Sequence, residues 1–438
     1  MFKLVLALLV IAAPVKLDEL PPPLAQPPPD GPVLSLQEAL AAAKTESPDL
    51  EVMRARVDQA QISLRKTWRQ LVPTLTAGLT YTRNAEGATL PGLDGGTLNT
   101  VEVNNVQGNV TLAASLFNGR VFPALATARQ QVDVARLTAA QVSRELLLNV
   151  AASYLTGAGL RQLAIVSLRQ AQSTREHARD AAVRYEAGVV QRSAALRARI
   201  DALKADEEVR RAQVQYAESK SQLAPLLDRR DTAFELAEPP EPAAEVSGAF
   251  AELLQKALAD RPEMAIARAN EQIALRLKDD AWAQFLPSLS ANAALRYNNA
   301  TTLFSSQTTT WAITLALTIP LYDGGQRYES LKDADAKTRE AKAQTRSQAS
   351  KVLDEVRRGR LELESARALF NEARQQVELA RENHGLITAQ FAAGTATQVE
   401  VSDAVTALQQ AEATVVQDKL NVQLAGLRVL RAVGAFDP

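Results

Sequence analysis

Few side chains in this 438-residue chain are equipped for chemistry. It has no cysteine and two histidines, His177 and His384. Without cysteine there is no disulfide, no thiolate metal site and no sulfur to carry a lipid, and the chain suits an oxidising compartment. His384 falls on a seven-residue apolar spacing, which favours packing over catalysis. No nucleophile stands with a base and an orienting group, no phosphate loop occurs and no metal-ligand spacing appears, so the chain reads as a non-enzyme that needs no cofactor. Lys and Arg number 49 against 50 Asp and Glu, so the overall charge offers nothing to recruit nucleic acid.

The informative residues are instead ones that recur. WRQLVPTLTA begins at Trp68 and WAQFLPSLSA at Trp282, an offset of 214 positions. Each phrase closes a helical pattern and opens an alternating one, with Pro73 and Pro287 at the junction, where proline stops a helix and starts an extended segment. Trp68 and Trp282, just before these prolines, read as packing or interface anchors rather than ligand-stacking groups. Pro48 answers Pro262, LFNGR from Leu116 answers LYDGGQR from Leu321, and RYEAG ending at Gly188 answers QFAAG ending at Gly394. The copies span residues 35–228 and 250–432, joined by a loop-like linker at 229–249 rich in Pro, Glu and Ala, with a short tail at 433–438.

Four stretches alternate with period two. Leu289, Ala291, Ala293, Leu295 and Tyr297 share one face, against Ser288, Ser290, Asn292 and Arg296, and Trp311, Ile313, Leu315, Leu317 and Ile319 share another, against Thr310, Thr314 and Thr318. In the first copy Leu75, Ala77, Leu79 and Tyr81 alternate with threonines, and Val106, Val110, Leu112 and Leu116 alternate less clearly with polar residues. Each stretch has about ten residues, the length of a tilted transmembrane strand. The loop from Ala85 to Thr100 joins the first pair, and a cell-surface position is expected for it.

The rest of each copy is helical. No proline lies between Pro123 and Pro225, or between Pro320 and Pro438. Arg120–Glu186 and Gln326–Ala392 are each 67 residues, roughly 100 Å as helix. Val356, Leu363, Phe370, Val377, His384 and Phe391 fall at strict heptad steps beside Ala366, Ala373, Ala380 and Ile387, so the helices are expected to pack as coiled coils. The first-copy series Ala164, Ala171, Ala178 and Tyr185 is weaker. At the N-terminus, residues 1–13 hold Lys3 and an apolar run too short to span a bilayer, which reads as a secretory signal. Residues 14–34 include PPPLAQPPPDGP, a leader expected to form neither helix nor sheet.

Four strands with one lipid-compatible face cannot close, because the smallest stable barrel needs about eight, and open edges are not tolerated in a bilayer. The chain is expected to borrow strands from copies of itself, and a trimer supplies twelve. The repeated phrase is then the hinge between helical tube and barrel.

The order SPDL, WRQLVPTL, LFNG or LYDGG, then RYEAG or QFAAGTATQVEVSDA resembles the TolC-type outer-membrane efflux family over roughly residues 35–432. The resemblance implies a mainly α fold with transmembrane β: a homotrimeric twelve-strand barrel in outer-membrane lipid, continued by a periplasmic α-helical coiled-coil tunnel. It implies docking to a periplasmic adaptor and an inner-membrane pump, as the exit duct of a tripartite efflux or type I secretion system for small molecules or proteins. Arg184, Tyr185, Gly188, Phe391 and Gly394 would then be adaptor-contact tips, with left-handed turns at the two glycines. Glu400 and Asp403, three apart on one helix face, match the acidic residues that ring the family's constriction, where crowding of like charge is expected to raise carboxylate pKa values. Phe391 stands where relatives often carry Tyr, and Ala396 where a basic residue can lock the tip. The competing reading is a soluble periplasmic coiled-coil scaffold or pump adaptor, which leaves the four strands unexplained.

Overall fold

The computed structural model describes residue 22 and residues 31–91, 97–238, 248–299 and 307–436. The proposed secretory signal and most of the leader lie outside the described residues, as do residues 239–247 of the linker. In chain order the elements are β1 (Val33–Leu34), α1 (Leu36–Glu46), α2 (Pro48–Arg69), β2 (Thr74–Arg83), β3 (Ala88–Pro91), β4 (Thr97–Val101) and β5 (Asn104–Asn118). They continue with α3 (Val121–Glu186), α4 (Arg192–Leu223), β6 (Glu235–Leu236), α5 (Phe250–Asp260), α6 (Pro262–Ala283), β7 (Ser288–Asn298), β8 (Thr309–Thr318), α7 (Gln326–Ala392) and α8 (Gln398–Val433). The chain divides into two compact units, one of residues up to Leu50, Val142–Asp260 and Val352 onward, the other of Glu51–Gln141 and Arg261–Lys351. Among the described residues no helix is long and apolar enough to cross a membrane.

The second unit holds a four-stranded antiparallel sheet in the order β2, β5, β7, β8. Register places the apolar sets together: Leu295 faces Trp311, Ala293 faces Ile313 and Ala291 faces Leu315, while Leu75 pairs with Leu112 and Ala77 with Val110. Across the central pair Val110 meets Leu295. This face is uncovered, with Leu79 78% and Trp311 75% exposed and Ile313, Leu315 and Leu317 also exposed. A contiguous apolar face of this kind marks a membrane or interaction surface. Among the described residues, β2 and β8 each pair on one side only.

One position in the alternation is corrected. Leu116 was expected on the apolar face, but the β5–β7 register shifts between Ser115 and Phe117, and Phe117 stands opposite Leu289. A bulge inserts one residue, so the alternation slips and the next side chain takes the face. The segment expected as the Ala85–Thr100 loop contains the β3–β4 hairpin, and residues 92–96 lie outside the description.

In the first unit, the linker is more than a loop, and the residues just after the PPPLAQPPPDGP stretch pair with it. Val33 and Leu34 pair in parallel with Glu235 and Leu236. Phe234 and Leu236 enter a core with Leu34, Val150, Tyr154, Leu223 and Leu227. The buried Tyr154 hydroxyl donates to the Leu34 and Ala237 carbonyls at 2.9 and 3.2 Å, while Glu235 accepts from Tyr216 at 2.8 Å and pairs with Arg161 and Lys220. Phe234 and Leu236 supply the apolar side chains of this pairing, and the linker prolines at 239, 240 and 242 follow it in the sequence. Along α3 and α4 the contacts are alanines: Ala178 and Ala181 meet Ala198 and Ala202, and Ala171 meets Ala205 and Val209. Small side chains let the two axes approach closely, and Ala171 and Ala178 of the first-copy series lie in this seam. Beside it the Arg175–Asp206 pair is buried, with hydrogen bonds of 2.8 and 2.5 Å.

The face assignment has a direct test. If the exposed apolar face lies in lipid, Leu315→Arg destabilises membrane assembly by about 2–4 kcal/mol near mid-bilayer, whereas Thr314→Arg on the opposite face assembles. Yield of folded, membrane-inserted protein measures both, and equal behaviour contradicts the assignment.

Candidate functional site

The two helix-to-helix turns are built alike. After α3, the Gly188 N–H donates to the Tyr185 carbonyl and the Val189 N–H to Arg184, both at 2.9 Å. After α7, Gly394 donates to Phe391 and Thr395 to Gln390, at 3.1 and 2.9 Å. These paired bonds satisfy the last helical carbonyls and require a left-handed residue. Gly188 and Gly394 supply it, with φ of 71° and 77°. A Cβ at either position meets nothing within 4 Å, so any penalty for substitution there is conformational rather than steric.

Approaching these turns, α3 and α7 share two contacts one heptad apart. The His177 and His384 rings meet edge to face at 6.1 Å between centroids. Seven residues further along both helices, the Arg184 guanidinium lies 4.5 Å from the centre of the Phe391 ring and also pairs with Asp180 at 2.9 Å. Phe391 cannot hydrogen-bond as a Tyr would; a cation–π contact stands in that place. Tyr185 is half-buried. Burial, then the charge of His177, hold the His384 imidazole below its ordinary range, and Glu412 opposes them.

Glu400 and Asp403 lie exposed in the first turns of α8, and each has a partner within the chain. Thr397 is the N-cap of α8, and Glu400 accepts from the Thr397 backbone N–H at 2.6 Å and from its hydroxyl at 2.9 Å. The Glu400 N–H returns a bond to the Thr397 hydroxyl at 3.3 Å. These bonds, the backbone one first, hold the Glu400 carboxyl below its ordinary value, so any upward shift from crowding has to come from neighbouring copies. Asp403 faces Arg197 of α4 at 3.7 Å. The adjacent Ser402 donates to Asp201 of α4. Sequence reasoning missed Arg197 and Asp201 because their spacing from α8 is nonlocal, but the order T-Q-V-E from Thr397 to Glu400 is itself a capping signal. A cavity of about 400 Å³ lies among α3, α4 and α8, bordered by His177, Gln170, Asp201, Glu208 and Ser402.

The junction residues sit where helix gives way to sheet. α2 ends at Arg69 and β2 starts at Thr74, just after Pro73; α6 ends at Ala283 and β7 starts at Ser288, just after Pro287. Trp68 and Trp282 are 56% and 58% exposed. Trp282 contacts Phe285, which also meets Tyr328 and lies under Arg327. Arg327 is fixed by Asp323 at 2.7 Å and the Pro320 carbonyl at 2.8 Å. Among the described residues no three His, Asp or Glu side chains form a metal-holding group.

With this geometry in place, residues 39–228 and 253–435 match the family described as Outer membrane efflux protein. The two matched segments coincide closely with the two copies of the repeat. No curated protein matches by sequence. Among solved structures, the fold is similar to a membrane protein from Pseudomonas aeruginosa, at 20% identity and TM-score 0.78, over 91% of this chain and 90% of that one. It is similar to the Campylobacter jejuni CmeC outer membrane channel at 15% identity and TM-score 0.78, over 91% and 85%. The open state of the Neisseria gonorrhoeae MtrE outer membrane channel gives 19% and 0.72, over 91% and 88%.

The cap on Glu400 predicts a pH dependence. Its folded pKa is lowered, so its contribution is complete above the ordinary carboxylate range and is lost as pH falls through the lowered value. Hydrogen exchange should therefore show the first turn of α8 protected at neutral pH and opening only in acid. Glu400→Ala should remove that protection at every pH. An unchanged exchange profile in the variant would contradict the capping role.

Proposed function

This chain belongs to the outer membrane efflux protein family, and from that premise we propose that it is the outer-membrane exit duct of a tripartite efflux or type I secretion assembly. The family is one of outer-membrane channels rather than enzymes, with the helical part in the periplasm. The observation that carries the reading is the four-stranded sheet with an apolar exposed face and two edges paired on one side only. Three chains would join such edges into a twelve-strand barrel, with an even strand number keeping every contact antiparallel. Small molecules or proteins would pass from an inner-membrane pump through the tunnel to the exterior.

The turns at Gly188 and Gly394 would meet a periplasmic adaptor. Exposed Val183 and Val189 beside the first turn, and Val399 beside the second, supply apolar surface for that contact. Around a three-fold axis Glu400 and Asp403 would gather six carboxylates at a narrow aqueous opening and focus a negative potential there. A soluble scaffold or adaptor would use the helices equally well but would leave the apolar sheet face without a partner.

Planar-bilayer recording tests the duct and its constriction together. Wild type should form cation-preferring pores, blocked by a trivalent cation from the periplasmic side. Because Glu400 also caps α8, the charge is best removed with shape retained, as Glu400→Gln with Asp403→Asn. This double variant should conduct with reduced cation preference and weakened block. Absence of any conductance from folded wild type contradicts the channel reading, and unchanged selectivity and block in the variant contradict the carboxylate ring.

A further inference from the structure

We infer that His177 and His384 form a two-imidazole site for a divalent transition-metal ion, clamping α3 to α7 one heptad before the Arg184–Phe391 contact. They are the only histidines in the 438-residue chain, one from each copy of the repeat, and the fold brings them together. With metal–nitrogen bonds of about 2.0–2.1 Å, two imidazoles on one ion hold their ring centres about 5–6.5 Å apart. The observed 6.1 Å lies in that window, and rotation of the rings out of their edge-to-face packing is the main adjustment required.

Access and charge fit the same reading. Both rings are only partly buried, and His177 borders the cavity among α3, α4 and α8, so an ion and its waters can reach the pair. A metal ligand must be a neutral imidazole. From α8, Glu412 contributes negative potential at His384 while paired with Arg381 at 3.1 Å. Asp201 and Glu208 border the shared cavity from α4 beside Lys204. No third protein ligand is gathered among the described residues, so water completes the coordination. That donor set selects imidazole-preferring ions, namely Zn²⁺, Ni²⁺ or Cu²⁺, over Mg²⁺ and Ca²⁺, which require oxygen cages. The consequence is a clasp between the two copies of the repeat that is absent when the ion is absent.

Cu²⁺ is the probe, because its electron paramagnetic resonance spectrum counts coordinating nitrogens. The full-length protein, purified in detergent without a histidine tag, should bind one Cu²⁺ per chain with the pattern of two imidazole nitrogens. His177→Asn and His384→Asn should each lose that pattern and bind about tenfold or more weakly. Equal affinity and an equal spectrum in wild type and both variants would overturn the proposal, as would fewer than two nitrogens in wild type. A second measurement avoids substitution: Zn²⁺ should protect both histidines of the wild type together from diethyl pyrocarbonate, read by mass spectrometry. Unprotected imidazoles at saturating Zn²⁺ would equally overturn it.

Discussion

Backbone N–H and C=O groups at the free edges of β2 and β8 constrain everything else in this molecule. In water such an edge is satisfied by solvent. In hydrocarbon each unpaired group costs several kcal/mol, and only a closed sheet removes the penalty. The face next to those edges is apolar along Leu75, Leu79, Trp311, Ile313, Leu315 and Leu317. Burial in lipid and closure of the edges are therefore a single requirement, and one chain with four strands cannot meet it alone. On this account the association of copies is part of folding.

Other features follow from presenting a sheet of this kind. Proline at 73 and 287 turns each helix into a strand without an intervening domain. The Arg327 cluster with Asp323, the Pro320 carbonyl and Phe285 fixes the return from β8 into α7. In the other unit, a bulky core around Tyr154 and Phe234 is accompanied by alanines at 171, 178, 198, 202 and 205 that bring α3 and α4 into close contact. The tips end in two glycine turns whose left-handed geometry is imposed by the capping bonds.

Much of this was legible in the sequence because it rests on short periods. Heptads in α7, period-two patterning in β7 and β8 and the prolines at the junctions each act through near neighbours, and the expected helix at Gln326–Ala392 coincides with the observed one. Three features were not legible for the same reason. The parallel β1–β6 pair joins segments two hundred residues apart, and its only local sign is the alternation of Phe234 and Leu236 inside a proline-rich linker. The bulge at Leu116 depends on register against β7, which period-two counting within one strand cannot reveal. At the site, the two glycine turns and the T-Q-V-E cap could be read locally, whereas the meetings of Arg184 with Phe391 and Asp403 with Arg197 depend on helices brought together from distant positions.

The absence of native cysteine allows the central claim to be tested on a clean background. A single cysteine at Thr76 on β2, combined in turn with one at Thr310, Ala312 or Thr314 on β8, places thiols on the polar face of both free edges. The account predicts that one of these pairs oxidises in the membrane to covalent species that stop at three chains on a non-reducing gel. Monomers alone at every pairing, or a ladder that continues past three, would contradict closure of the sheet by a trimer.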